Sequence, residues 1–314
     1  MDFGLPSFFG FAYGDDQIKL VKLLNEAKKK KEKLILMAAP SFVVDFDYKN
    51  FVTLMKSLGF DKVTELTFGA KTINEQYYKY IKKHYSDYIK TGKKKDENFQ
   101  ELFISSVCPA SVELVKNQFP QLKKNLLPFD SPMSAMAKVV RKNYPKHKII
   151  FLSPCYAKKI EASKLHDKKG KKLIEVVVTF SEMKQIVAKE KVHSNKKVLN
   201  KFDSFVNDYT KIYPLAGGLC GTLHYKEILK NSDVISCDGF KSIQKKLKNP
   251  KFVFADILFC DGGCIGGPGI ASKFPKFIKK QKVIRYVRAA SRESMNGKQG
   301  LLKHTTGIDF SREP

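Results

Sequence analysis

Short apolar runs and longer amphipathic stretches follow one another along most of this chain. Residues 15–31 place Ile18, Val21, Leu23 and Leu24 on an apolar face ahead of a lysine run, which predicts a helix. LILMAAP, 34–40, is a continuous apolar run ended by Pro40 and predicts a buried strand. A helix over 49–59, closed by Gly59, and an alternating strand over 62–68 come next. Residues 72–90 read as helix, 92–98 as a polar loop, and 102–107 as a strand that stops at Cys108-Pro109. Helices over 110–119 and 132–143 precede a strand over 148–154 that ends at Cys155. A strand over 173–180 and a helix over 181–190 continue the alternation. A short strand at 234–237, a helix over 239–248 and the apolar run 252–259 lead to Cys260. A basic helical segment and a polar tail from Ser291 close the sequence.

Strands alternating with helices predict an α/β fold with mainly parallel sheets flanked by helices. With no internal repeat, low-complexity tract or obvious linker, residues 1–314 are expected to form a single domain. Its approximate lobes are 1–146 and 147–270, with a C-terminal segment at 271–314. Pro40, Cys108, Cys155 and Cys260 each stand just past the end of a predicted strand. Open α/β sheets build their sites outside those ends, so these distant residues are expected to face one cleft.

Composition narrows the chemistry. At 43% hydrophobic, with 24 Phe and 13 Tyr but no Trp, 314 residues can bury a sizeable core. The first residues lack the basic start and apolar run of a signal peptide, and no apolar stretch is long enough to span a bilayer. A soluble, cytoplasmic protein with no membrane partner is therefore expected. Six cysteines in that setting point to metal or catalysis before disulfides. The net charge of +27, from 58 Lys+Arg against 31 Asp+Glu, raises nucleic acid as a partner. Yet the lysines spread along the whole chain without a zinc-finger, RNA-recognition or K-homology signature. A lysine-rich surface is the expectation, and such a surface would steer an acidic electron carrier.

The densest chemistry is FCDGGCIGGPG, 259–269, where Cys260 and Cys264 stand among five glycines. With Cys108 and Cys155, these thiolates could bind zinc or a cubane iron–sulfur cluster. Tight CxxC knuckles and the CxxCxxC ferredoxin run are both absent. Long separations favour one cluster buried between lobes.

SSVCPASVELV with SPMSAM, SPCYAKKIEA, and FCDGGCIGGPG together resemble the three signature segments of the catalytic domain of [FeFe]-hydrogenases. APSFVVDF and the AGG of Ala216, Gly217 and Gly218 are also similar to that family, and the resemblance covers roughly residues 34–290. It implies an H-cluster in the cleft between lobes. This is a [4Fe-4S] cubane joined through a cysteine sulfur to a diiron subcluster with CO, cyanide and azadithiolate ligands. By resemblance, Cys108, Cys155, Cys260 and Cys264 hold the cubane, and Cys264 bridges to the diiron unit. Lys158 matches the lysine that holds a cyanide. Ala39, Pro40 and Ser41 match the loop that packs on the diiron unit. Ser131, Met133, Gly217, Gly218 and Leu258 match further pocket positions.

The departures from the family are specific. Val107 occupies the position of a proton-relaying cysteine, and Ser153 and Leu258 replace methionines. The acidic relay on the first-lobe helix is thinned to Glu75, followed by Gln76 and Lys79. These changes resemble divergent, sensory-type branches. They put fast proton transfer in doubt and leave the cluster ligands untouched; Cys220 is a candidate substitute donor. No ferredoxin-like cysteine run stands in this sequence, so electrons are expected directly from a partner. The resemblance implies H₂ and protons as substrates, an acidic ferredoxin as carrier, and maturation proteins that deliver the diiron cofactor. Competing readings are an H₂ sensor of low turnover and a Narf-like iron–sulfur protein without diiron.

Overall fold

A computed structural model describes residues 13–91, 102–167, 169–192, 201–205, 209–289 and 303–313. The expected polar loop at 92–98 lies outside them, as does the stretch 291–302 of the expected tail. Two parallel sheets organise these residues. The first has four strands and the second three.

β1 (Leu34–Ala38) is buried at every residue and pairs in parallel with β2 (Lys62–Glu65) and β4 (Lys148–Ser153). A continuous apolar run suits such a central strand, because helices cover both of its faces. β5 (Val176–Thr179) pairs with β4 and completes the sheet. Around it lie α1 (Asp15–Lys30), α2 (Phe51–Leu58), α3 (Thr67–Thr91), α5 (Pro132–Asn143) and α7 (Phe180–Lys189). Thr179 caps α7 by accepting from the Glu182 amide, and Glu182 accepts from the Thr179 amide, which fixes the turn out of β5.

In the second sheet β7 (Phe254–Leu258) is central, with β3 (Phe103–Ile104) and β6 (Val234–Asp238) on either side. α4 (Pro109–Gln118) and α9 (Phe240–Lys248) cover one face. The other face carries Phe254 and Leu258 into the main core. The sheets exchange strands across the expected lobe boundary at residue 146. β3 precedes that boundary yet joins the second sheet, whereas β4 and β5 follow it and join the first.

Three connections tie the layers together. Glu65, fully buried at the end of β2, pairs with Lys211 at 2.5 Å and accepts a 2.8 Å hydrogen bond from Tyr286 of α10 (Lys276–Ala289). Asp45 accepts from the Ala271 and Ser272 amides at 2.9 and 2.6 Å, which ties the loop after Cys264 to the turn after β1. The third lies in the expected polar tail. Residues 303–313 dock on α5, burying Phe310, whose carbonyl accepts from the Asp130 amide at 2.8 Å. No helix among the described residues is long and apolar enough to cross a membrane.

Candidate metal centre

The four expected ligands arrive from three strand ends. Cys108 follows β3 and is the N-cap residue of α4. Cys155 follows β4, with its amide donating to Ser153 Oγ at 3.0 Å. Cys260 follows β7, and Cys264 lies in the 3₁₀ turn Gly263–Gly266. Gly262 and Gly263 both have positive φ, 88° and 73°, a conformation that L side chains rarely adopt. At Gly263 a side chain would also strike the Pro214 carbonyl at 2.6 Å, and that carbonyl accepts from the Cys264 amide at 2.8 Å. Gly267 approaches the Pro154 carbonyl so closely that a Cβ there would lie at 2.3 Å. Gly269 donates its amide to the same carbonyl at 2.9 Å. The glycines thus bring the Cys264 loop onto the Cys155 loop.

The thiols interact with one another. Burial first, then the neighbouring Cys108, raises Cys155; the Ala157 amide and the Lys158 ammonium oppose that rise. Burial and the Cys108 and Cys155 thiols push Cys260 up to about 12. Cys264 is raised well above the ordinary thiol value by burial and by all three other cysteines, with Lys158 acting against them. Acidic thiols that act on one another resist ionisation until positive charge is shared among them. Among the described residues, no three His, Cys, Asp or Glu side chains converge on a single ion. A four-iron cubane, which takes one thiolate per iron, is the better match to this donor set.

Beside the thiols lies a cavity of about 90 Å³. Its wall includes Ala39, Pro40, Ser41, Lys158 and Leu258, together with Cys108, Cys155 and Cys264. The Ser41 hydroxyl is buried there without a hydrogen-bond partner among the described residues, so it fits a ligand that brings an acceptor or donor. Lys158 of α6 (Ala157–Ser163) donates to Glu161 at 2.6 Å and to the Val107 carbonyl at 3.4 Å. Arg312 holds the other Glu161 oxygen at 2.6 Å. Burial alone would raise Glu161, but Lys158 and Arg312 bring it below the ordinary value.

The remaining expected residues sit elsewhere. Cys260 is not on the cavity wall. Ser131 is buried and accepts from the Ser134 amide at 3.3 Å as the cap of α5, and its neighbour Pro132 is the wall residue. Met133 is fully buried in the core. Gly217 packs toward Ser236 of the second sheet, and a Cβ on Gly218 would meet the Ile212 carbonyl at 2.3 Å. Both glycines shape the turn into α8 (Gly218–Thr222) and do not line the cavity. Glu75 pairs with Lys79 on the outer side of α3. Two residues after Glu75, Tyr77 is fully buried, and its hydroxyl is 2.9 Å from Ser106 Oγ. Tyr213, Glu161, Arg312 and Asp256 carried no signal as site residues, although Glu161 stands one helical turn from Lys158.

The sequence profile of the iron-only hydrogenase large subunit, C-terminal domain, matches residues 32–268. The chain belongs to this family. Among individual proteins it is similar to iron hydrogenase 1 of Clostridium pasteurianum, 24% identical over 297 residues, covering 79% of this chain and 50% of that one. It is also similar to the NADP-reducing hydrogenase subunit HndD of Solidesulfovibrio fructosivorans, 24% identical over 262 residues, covering 68% and 44%. The chain therefore spans about half the length of these relatives. A solved [FeFe]-hydrogenase shares the fold with a TM-score of 0.73 at 15% identity, over 92% of this chain and 95% of that one. A variant of [FeFe]-hydrogenase HydA1 from Chlamydomonas reinhardtii gives 0.70 at 13% identity, over 95% and 96%.

Proposed function

We propose that this chain holds an H-cluster and interconverts H₂ with protons and electrons, taking its electrons from an acidic ferredoxin-like carrier. The observation that carries this reading is a cavity walled by Cys108, Cys155, Cys264, Lys158 and the buried Ser41 hydroxyl, with Cys260 close enough to act on Cys264. Cys108, Cys155, Cys260 and Cys264 would each supply a thiolate to a [4Fe-4S] cubane. Cys264, on the cavity wall, would join it to a diiron unit bearing CO, cyanide and azadithiolate. When bound, that unit supplies the redox-active iron for H₂ chemistry. An ammonium has three donors. Glu161 and the Val107 carbonyl take two from Lys158, which leaves one for an anionic cyanide. Ser41 would donate to a second such ligand.

A slow, H₂-sensing role is favoured by a second observation. Val107 lines the cavity and can neither donate nor accept a proton. Behind it, Tyr77 bonds to Ser106 Oγ, which donates to the Leu127 carbonyl at 2.7 Å. A hydroxyl chain that ends on a backbone carbonyl does not lead a proton out. Burial also pushes Tyr77 up to about 12, so it stays protonated at neutral pH.

Support for an external carrier comes from the start of α10, next to the Cys260–Cys264 loop. Lys276 pairs with Asp261 at 2.6 Å, and Phe274 and Phe277 are 50% and 65% exposed among Lys273, Lys276 and Lys280. Apolar rings within a basic rim suit an acidic partner. Reconstitution should give about four irons and four sulfides per chain. Infrared bands of CO and cyanide should follow diiron insertion and move in Lys158→Ala. Full reconstitution of Cys155→Ala would overturn the ligand set, and absent bands in the parent would favour the Narf-like role.

A further inference from the structure

We propose that Asp256 is the proton-accepting group for reduction of the metal centre: its buried carboxylate takes up one proton as one electron enters the cluster. This rests on the four cysteines being the cluster ligands. Alternate residues of a strand share a face, so Phe254, Asp256 and Leu258 of β7 point the same way. Leu258 lines the cavity and Phe254 packs 6.5 Å from the Tyr77 ring, so Asp256 lies between them on the face toward the centre.

Asp256 is 2% exposed. Its Oδ2 accepts from the Cys220 amide at 3.4 Å, and the Cys220 thiol and the Ser236 hydroxyl also bond to the carboxyl. Ser236 stands beside it on β6 in register. Oδ1 has no hydrogen-bond partner among the described residues. The other titratable groups that feel this carboxylate are Tyr77 from α3, Tyr213 from the loop before α8, Cys220 from α8 and Cys237 from β6. None of them is a cation. The contrast with the other buried acids is sharp. Glu65 meets Lys211, Asp130 meets Lys138, and Glu161 meets Lys158 and Arg312.

A buried carboxylate with no facing cation is costly to ionise. Burial, only partly offset by Cys220 and Ser236, pushes Asp256 up to about 6. Tyr213 lines the cavity with Cys264 and feels both Asp256 and Cys264. Negative charge added to the centre disfavours the carboxylate further, because Coulomb energy in a protein interior falls off slowly. The balance is simple. An external donor loses one electron to the cluster, solvent supplies one proton, and one O–H bond forms on Asp256. Reoxidation reverses each part, and net internal charge stays constant. The Cys220 thiol, raised by burial and by Asp256 itself, remains a hydrogen-bond donor throughout.

The test uses the full chain reconstituted with the four-iron cluster alone, titrated with dithionite and mediator dyes under electron paramagnetic resonance. Between about pH 5 and about pH 8, the parent midpoint should be flat at the acid end. Above the oxidised-state value it should then fall by about 59 mV for each tenfold drop in proton concentration. Asp256→Asn should show no such slope. A flat parent, or an equal slope in Asp256→Asn, overturns the proposal. Redox-difference infrared spectra of the parent give an independent reading. Reduction should produce a protonated-carboxyl C=O band that shifts in D₂O and moves again in Asp256→Glu, and absence of that band also overturns it. Failure of the parent to assemble any four-iron cluster removes the ligand assignment itself. A cluster that assembles with a pH-independent midpoint removes only the role of Asp256.

Discussion

Val107 sits on the cavity wall where a proton donor would serve H₂ chemistry, and the side chain behind it is Tyr77, bonded to Ser106. Val107→Cys should raise H₂ evolution, and general acid–base groups typically contribute about 10²-fold or more. A gain below that range would locate the remaining resistance at Tyr77, and no gain with an unchanged infrared spectrum would show that proton entry is not limiting. Glu161 serves two cations, so Glu161→Gln leaves Lys158 and Arg312 facing a neutral amide. A loss of about 3 kcal/mol is expected in chemical denaturation. Because Glu161 is lowered in the fold, its contribution is present above the unfolded value and disappears as pH falls through the folded one. Asp256 has the opposite sign. Raised to about 6, it favours the fold at acid pH, and that advantage is lost as pH rises from the unfolded value through 6. Asp256→Asn should therefore flatten this part of the stability–pH curve, on the order of 3 kcal/mol between its ends.

Among the elements, the loops after the strands decide whether four thiols meet. Gly267→Ala would drive a Cβ into the Pro154 carbonyl and separate the Cys264 and Cys155 loops. Iron content after reconstitution should fall well below four per chain. Gly221→Ala, with nothing within 4 Å of its Cβ position, should reconstitute normally. The strand ends were legible because apolar runs stop abruptly at Pro40, Cys108, Cys155 and Cys260. Elsewhere local pattern was overruled. The alternation of 62–68 continues past β2 because Leu66 and Phe68 are both buried, yet Ala70 already donates to the Leu66 carbonyl and α3 has begun at Thr67. The run 102–107 shortens to Phe103–Ile104, and the Ser106 amide donates to the Tyr77 hydroxyl instead of to a strand. α6 buries chiefly Glu161 and Ala162, too little apolar surface to mark seven residues as a helix. The role of Arg312 was hidden because its partner lies 151 positions away.

At the scale of the whole molecule, charge is the dominant property. A net +27, with basic residues and exposed phenylalanines beside the Cys260 loop, should make electron transfer from an acidic carrier fast at low salt. The rate should drop as ionic strength shortens the Debye length to about 8 Å and below. A rate indifferent to salt would remove electrostatic docking. The exchange of strands between the two sheets has its own consequence, in the order of synthesis. Cys108 and Cys155 leave the ribosome well before Cys260 and Cys264, and the second sheet cannot close until its central strand, β7, is made. At about 5–20 residues per second, the early thiols wait several seconds for their partners. Iron delivered before β7 and the loop after it are made would find only Cys108 and Cys155 of the four proposed ligands.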